Sequence, residues 1–439
     1  MDNVGVRTWR AARAITQSGP LALAASALGW AAPAAASEPE VGVSAELPGP
    51  APFSMRTAEQ PHIKIEIIAS GLAHVYSLAF LPGGDALIVE RGARLRLLRQ
   101  AAGAKPHLVP EPIENVPDYS KTAHVDPNDV LGLQDVKPDP DFAANHVIYF
   151  TYNRPVGFDA AAKRITAATV VARATLDGMR LTGIKDLLVG EAHVEVGASR
   201  LMIGKGGQLF VAVCGLNKGD AEAAQRLDNI YGKVLRIGLD GSVPLDNPFV
   251  YAKGARPEIW TYGHRDVQGL AIEPRSGRLI ASEHGPQGGD EINDLLPGHN
   301  YGWPNSTFGT DYDGSRLPSA PVVPGTEAPI MIWSPGIAPS GSVFYTGKAM
   351  PGWRNNLFVA SARRGEINGT GGLVRVVFND RLEEVREEFL LADLHQRFKD
   401  VRQGPDGLIY AVTDEDQAAV LRIGPAANPV GNLRSRNSE

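Results

Sequence analysis

The chain has 439 residues, 43% of them hydrophobic and 21% charged, with a formal net charge of −6. That apolar share is ample for a buried core, and an acidic chain without a basic cluster argues against a nucleic-acid partner. The single cysteine, Cys214, excludes an internal disulfide.

In chain order, residues 1–36 read as an export leader. Arg7, Arg10 and Arg13 form a basic start, residues 19–32 are mostly apolar, and Ala34-Ala35-Ala36 offers a small-residue cleavage site. The location this predicts is the periplasm or the exterior. No later segment has the roughly 18 uninterrupted apolar residues of a membrane span. A Pro/Ala/Glu-rich linker fills residues 37–60, a folded domain is expected over 61–425, and 426–439 is a tail.

Within the domain one theme recurs: apolar alternation, a glycine turn, then a second apolar run. It occupies residues 77–90, 199–212, 268–281 and 401–412, and in variants with a proline-containing connection 133–152 and 342–360. Each copy is a hairpin signature. The 48 glycines and 33 prolines are spread among such turns rather than gathered in one tract. Helical periodicity is scarce, residues 220–227 being one short candidate. Cys214, after the run 209–213, is expected to be a buried strand residue. Six strand-rich repeats without alternating helices predict an all-β fold, a six-bladed β-propeller with a central channel.

Three stretches carry a family resemblance. They are Tyr262-Gly-His-Arg-Asp-Val-Gln-Gly-Leu270; Ser282-Glu-His-Gly-Pro-Gln-Gly-Gly-Asp-Glu-Ile-Asn293 with Asn300-Tyr-Gly-Trp-Pro304; and Ile337-Ala-Pro-Ser-Gly341 with Pro351-Gly-Trp-Arg-Asn-Asn-Leu-Phe-Val359. Together they resemble the aldose sugar dehydrogenases that depend on pyrroloquinoline quinone (PQQ). The resemblance implies a sugar or related hydroxyl substrate, PQQ and Ca²⁺ as cofactors, and an external electron acceptor. It places Arg265 on the cofactor, Arg397 and Lys399 on its carboxylates, and the carbonyls of Gly285 and Pro286 on Ca²⁺.

The chain also departs from that pattern. Arg363 stands where the family has lysine, and Lys399 where it has arginine. Asp266 replaces an asparagine, adding a carboxylate that would repel an anionic cofactor unless paired. Val196 occupies the position of the catalytic histidine, and valine accepts no proton; His193 and Glu195, close by, are the candidates for a base. Two other readings remain open. One is a Ca²⁺-using propeller hydrolase, lyase or isomerase working without PQQ through His193, Glu195 or His264. The other is a non-catalytic propeller that binds a saccharide or partner. Asp290-Glu291 reads as a structural pair, His264 and His284 as packing groups, and residues 311–314 as a turn.

Overall fold

The computed structural model describes residues 52–91, 94–119, 130–216, 220–317 and 320–426, with Leu47 and Gly49. The expected leader, most of the linker and nearly all of the tail lie outside these residues.

Among the described residues twenty-five strands form six sheets, each a blade of an all-β six-bladed propeller. Blade 1 is Val75–Phe80, Ala86–Glu90, Arg94–Arg99 and His107–Leu108; blade 2 is Gly132–Pro138, Val147–Asp159, Arg164–Asp177 and Arg180–Val189. Blade 3 is Ser199–Ile203, Gln208–Val213, Lys233–Gly238 and Ile259–Tyr262; blade 4 is Val267–Ile272, Leu279–Glu283, Asp290–Asp294 and Met331–Trp333. Blade 5 is Pro339–Phe344, Leu357–Ser361, Gly372–Phe378 and Glu384–Leu390. Blade 6 joins Phe398–Gln403, Ile409–Thr413 and Ala418–Pro425 to two strands from the other end of the chain, Ile63–Leu72 and Phe53–Met55. The first strand of each blade touches the first strand of the next, and the ring closes from Phe398–Gln403 to Val75–Phe80.

All six sequence repeats are the two innermost strands of a blade. Their alternation has a specific use here, because every sheet is covered on both faces. In Ala86–Glu90, Leu87 and Val89 join the apolar cluster shared with blade 2, whereas Ala86 and Ile88 join the one shared with blade 6. Six such clusters fill the six blade interfaces. At about 1.5–3 kcal/mol for each large apolar side chain buried, they are the main stabilising term. Residues 220–227 contain only a short 3₁₀ turn, Ala221–Ala224, and Cys214 is buried one residue past the end of its strand. Among the described residues no helix is long and apolar enough to cross a membrane.

The channel is filled midway. Asp135 pairs with Lys137 at 3.0 Å and Asp400 with Arg402 at 3.1 Å. Their carboxylates also accept from the Leu201 and Leu78 backbone N–H groups at 2.9 and 3.0 Å. Burial disfavours the Asp135 carboxylate, but Lys137 and Arg200 outweigh it and hold its pKa down to about 2. Arg402 donates further to the carbonyls of Leu78 and Ser342. Beyond this plug the six inner strands end around one mouth of about 380 Å³, lined by Phe80, Pro138, Met202, Ile272, Phe344 and Gln403.

Candidate active site

The opposite end of the channel, where the inner strands begin, gathers the recognisable motifs. The chain enters it from blade 3 through Gly263, whose φ of +77° suits glycine. A Cβ there would lie 2.1 Å from Asn300 Oδ1. This turn sends His264 inward and Arg265 and Asp266 toward the mouth. His264 is fully buried, bonded to Thr261 Oγ1 at 2.9 Å and Glu283 at 2.7 Å, and stacked on Tyr301 at 4.6 Å. It is a packing group.

Arg265 donates to the His284 carbonyl and the Tyr312 hydroxyl, each at 3.3 Å, and lies over the Trp303 ring at 5.4 Å. Its Nε is buried and has no partner among the described residues. Asp266 is held from the side: Gln268 Nε2 donates to its Oδ1 at 2.7 Å, and His284 Nδ1 stands 3.6 Å from its Oδ2. Gln268 Oε1 in turn accepts from Lys399 Nζ at 3.0 Å and the Tyr76 hydroxyl at 3.3 Å. Arg200 packs its guanidinium on the Tyr76 ring at 4.2 Å and donates to the Lys399 carbonyl. One amide therefore links residues of blades 1, 4 and 6.

The electrostatics follow from burial. Lys399 is pushed down to about 7, first by burial and then by Arg200. Burial raises the Tyr76 phenol, and burial together with Asp266 raises the Cys214 thiol well above its ordinary range.

Blade 4 supplies the facing turn, between Leu279–Glu283 and Asp290–Asp294. Asp290 accepts from the Gly285 N–H at 2.9 Å and from Ile337 and Ala338 at 2.6 and 2.7 Å, so it fastens the turn to the loop leading into blade 5. Its structural reading stands. Burial raises its carboxyl and, with Glu283, lifts Glu291 to about 8. A Cβ on Gly285 would lie 2.3 and 2.4 Å from the Gly288 and Gly289 carbonyl oxygens, so only glycine fits this turn. No described N–H donates to the Gly285 or Pro286 carbonyl. Among the described residues no group of three or more His, Cys, Asp or Glu side chains could hold a metal ion.

The other expected residues stand apart from the Gln268 network. Arg397 lies 3.7 Å from Asp414, a carboxylate held far below its usual range because His74 and Arg91 outweigh its burial. Arg363 pairs with Glu366. His193 bridges to Ala167, accepts the Glu195 N–H at 3.0 Å and packs near Tyr231, on the connection from the outer edge of blade 2 to the inner strand of blade 3. Val196, on the same connection, is buried in the apolar cluster between those blades. Sequence reasoning missed Tyr76, Gln268 and Tyr312 as site residues. Gln268 lay inside a quoted motif, whereas Tyr76 and Tyr312 carry no local signal.

Comparison with known proteins agrees with this arrangement. The family model described as glucose/sorbosone dehydrogenase matches residues 72–422. The chain is 36% identical over 369 residues to the aldose sugar dehydrogenase YliI of Escherichia coli K12, covering 83% of this chain and 93% of that one. The crystal structure of the soluble E. coli aldose sugar dehydrogenase in its apo form superposes with a TM-score of 0.73, at 34% identity, over 83% of this chain and all of that one. The PQQ-bound aldose sugar dehydrogenase of Streptomyces coelicolor gives 0.62 at 25% identity, over 82% and 98%. With propeller, motifs and relatives in accord, the chain belongs to the glucose/sorbosone dehydrogenase family and is a sugar dehydrogenase.

Proposed function

We propose that this sugar dehydrogenase is an exported enzyme that oxidises the anomeric carbon of an aldose, using PQQ and Ca²⁺ and an external electron acceptor. The observation that carries the reading is the cationic mouth itself, where Lys399 donates to the Gln268 amide oxygen and Arg265 keeps a buried Nε without a partner among the described residues. Such a site suits a ligand rich in carboxylates. Asp266 accepts a hydrogen bond from Gln268 and is flanked by His284, so its carboxylate is held to the side of Arg265.

PQQ, when bound, supplies an ortho-quinone that takes hydride from the sugar carbon, with Ca²⁺ polarising its carbonyl. Arg265 and Lys399 would hold its carboxylates, with Arg397 and Arg363 as further cations if drawn from Asp414 and Glu366. The glycine-only turn at Gly285 leaves two backbone carbonyls, those of Gly285 and Pro286, for a hard cation. Trp303 and Tyr312 flank Arg265 and restrict water at the mouth. The leader at 1–36 supports export, and cleavage after Ala36 gives a mature chain that begins at Ser37.

The test adds PQQ and Ca²⁺ to purified apo-protein and follows dye reduction over a panel of aldoses. Turnover that needs both additions is expected and is lost on chelation. Absence of both PQQ binding and turnover across the panel would sink the reading.

A further inference from the structure

We infer that Asp266 is the proton acceptor of the reaction, taking the hydroxyl proton of the sugar as its carbon is oxidised. The inference rests on the function proposed above and adds a named base to it. Oxidising a hydroxyl carbon releases a proton together with a hydride, so a base must stand where the hydroxyl sits.

The groups at the mouth can be taken in turn. Arg265 and Lys399 arrive as hydrogen-bond donors. Burial keeps the Tyr76 phenol and the Cys214 thiol protonated. Asp290 has both oxygens committed, with three backbone N–H groups donating to them. The Nε2 of His284 is sealed from solvent, and its Nδ1 side faces Asp266.

Asp266 differs from all of these. Its Oδ1 accepts from Gln268 Nε2 at 2.7 Å, and the buried Cys214 thiol is a further side-chain hydrogen-bond partner of the carboxylate. Its Oδ2 has His284 at 3.6 Å, beyond a good hydrogen bond, so that oxygen keeps lone pairs to offer. The side chain is 16% exposed at the mouth. Gln268 fixes the carboxylate and bridges it to Lys399 through its amide. The groups that face it are Gln268 beside it, His284 on the blade 4 turn, Cys214 and Arg200 on blade 3, Lys399 on blade 6, Tyr76 on blade 1, and its neighbour Arg265.

In the step, the O–H bond of the anomeric hydroxyl breaks and its proton passes to Asp266 Oδ2. The electron pair left on oxygen becomes the second C–O bond. The C1–H pair departs as hydride to the two-electron acceptor, and the aldose leaves as a lactone. Asp266 returns the proton to solvent through the mouth.

Asp266→Asn keeps shape and removes the charge. Two readouts decide the matter in the full-length mature chain with Ca²⁺. Absorbance titration with PQQ is expected to give a Kd equal to wild type within about threefold, or tighter, since a negative charge has gone. At pH 7, kcat is expected to fall about 10²–10⁴-fold with KM little changed, and the acidic limb of the kcat–pH profile to vanish. Asp266→Glu, which keeps a carboxylate, is expected to be at least tenfold faster than the Asn variant. A PQQ-loaded Asn variant with wild-type kcat and an unaltered pH profile would overturn the inference, as would a Glu variant no faster than Asn. Loss of PQQ binding in the Asn variant would also overturn it, making Asp266 a positioning residue. If wild-type protein binds no PQQ, the functional proposal fails instead.

Discussion

The two ends of the channel both hold buried cations, and they treat them differently. In the plug, Lys137 gives its protons to both Asp135 oxygens and the Val136 carbonyl, and Arg402 spends its donors on Asp400 and two neighbouring blades. At the site end, Lys399 has one neutral amide oxygen as its hydrogen-bond acceptor among the described residues, and Arg265 binds a carbonyl and a phenol with Nε unused. A cation matched by its own carboxylate holds blades together. A cation left short of anions keeps donors open to a ligand. Arg265 and Lys399 are if anything more buried than Lys137 and Arg402, so saturation rather than burial separates the two ends.

The largest expected effect breaks the plug. Asp400→Ala strands Arg402 in the channel without its counter-ion and should lower unfolding stability by about 3–5 kcal/mol, measured by urea denaturation. A loss under 1 kcal/mol would show that the plug is not saturated as described. Next comes Lys399→Met at the site end. It should weaken PQQ binding by roughly 10–100-fold, the usual worth of a charged hydrogen bond, while stability stays the same or rises. A destabilised variant with unaltered PQQ affinity would make Lys399 another plug residue.

The third effect concerns pH. Lys399 loses its proton near pH 7 in the fold but only near 10.5 when unfolded. Unfolding therefore takes up a proton across that window, and the Lys399 contribution to stability rises from pH 7 toward 10. The stability difference between wild type and Lys399→Met should shift in favour of wild type over that range. A pH-independent difference would show Lys399 charged in both states.

The architecture was legible because each blade repeats one local message. Alternation such as Leu87-Ile88-Val89 and a following turn are written within fifteen residues. The position of Arg265 and of the Gly285 turn was legible for the same reason, each lying in a continuous motif. The Gln268 network was not. Tyr76, Gln268 and Lys399 are separated by well over a hundred residues and meet only because three inner strands begin at the same end of one ring. Nor could residue type alone separate Asp290, saturated by three N–H groups, from Asp266, which is not.

The closure of blade 6 has a consequence for biosynthesis. Ile63–Leu72 pairs with Ala418–Pro425, so an early strand waits for the last described one. Until residue 425 is available, Ile63–Leu72 has only Phe53–Met55 beside it among the described strands, and the arc of blades carries an open edge at each end. The ring is therefore completed only after translation of the whole domain. A chain still held open in this way exposes two unpaired sheet edges in the interval, the kind of edge that invites pairing with another chain.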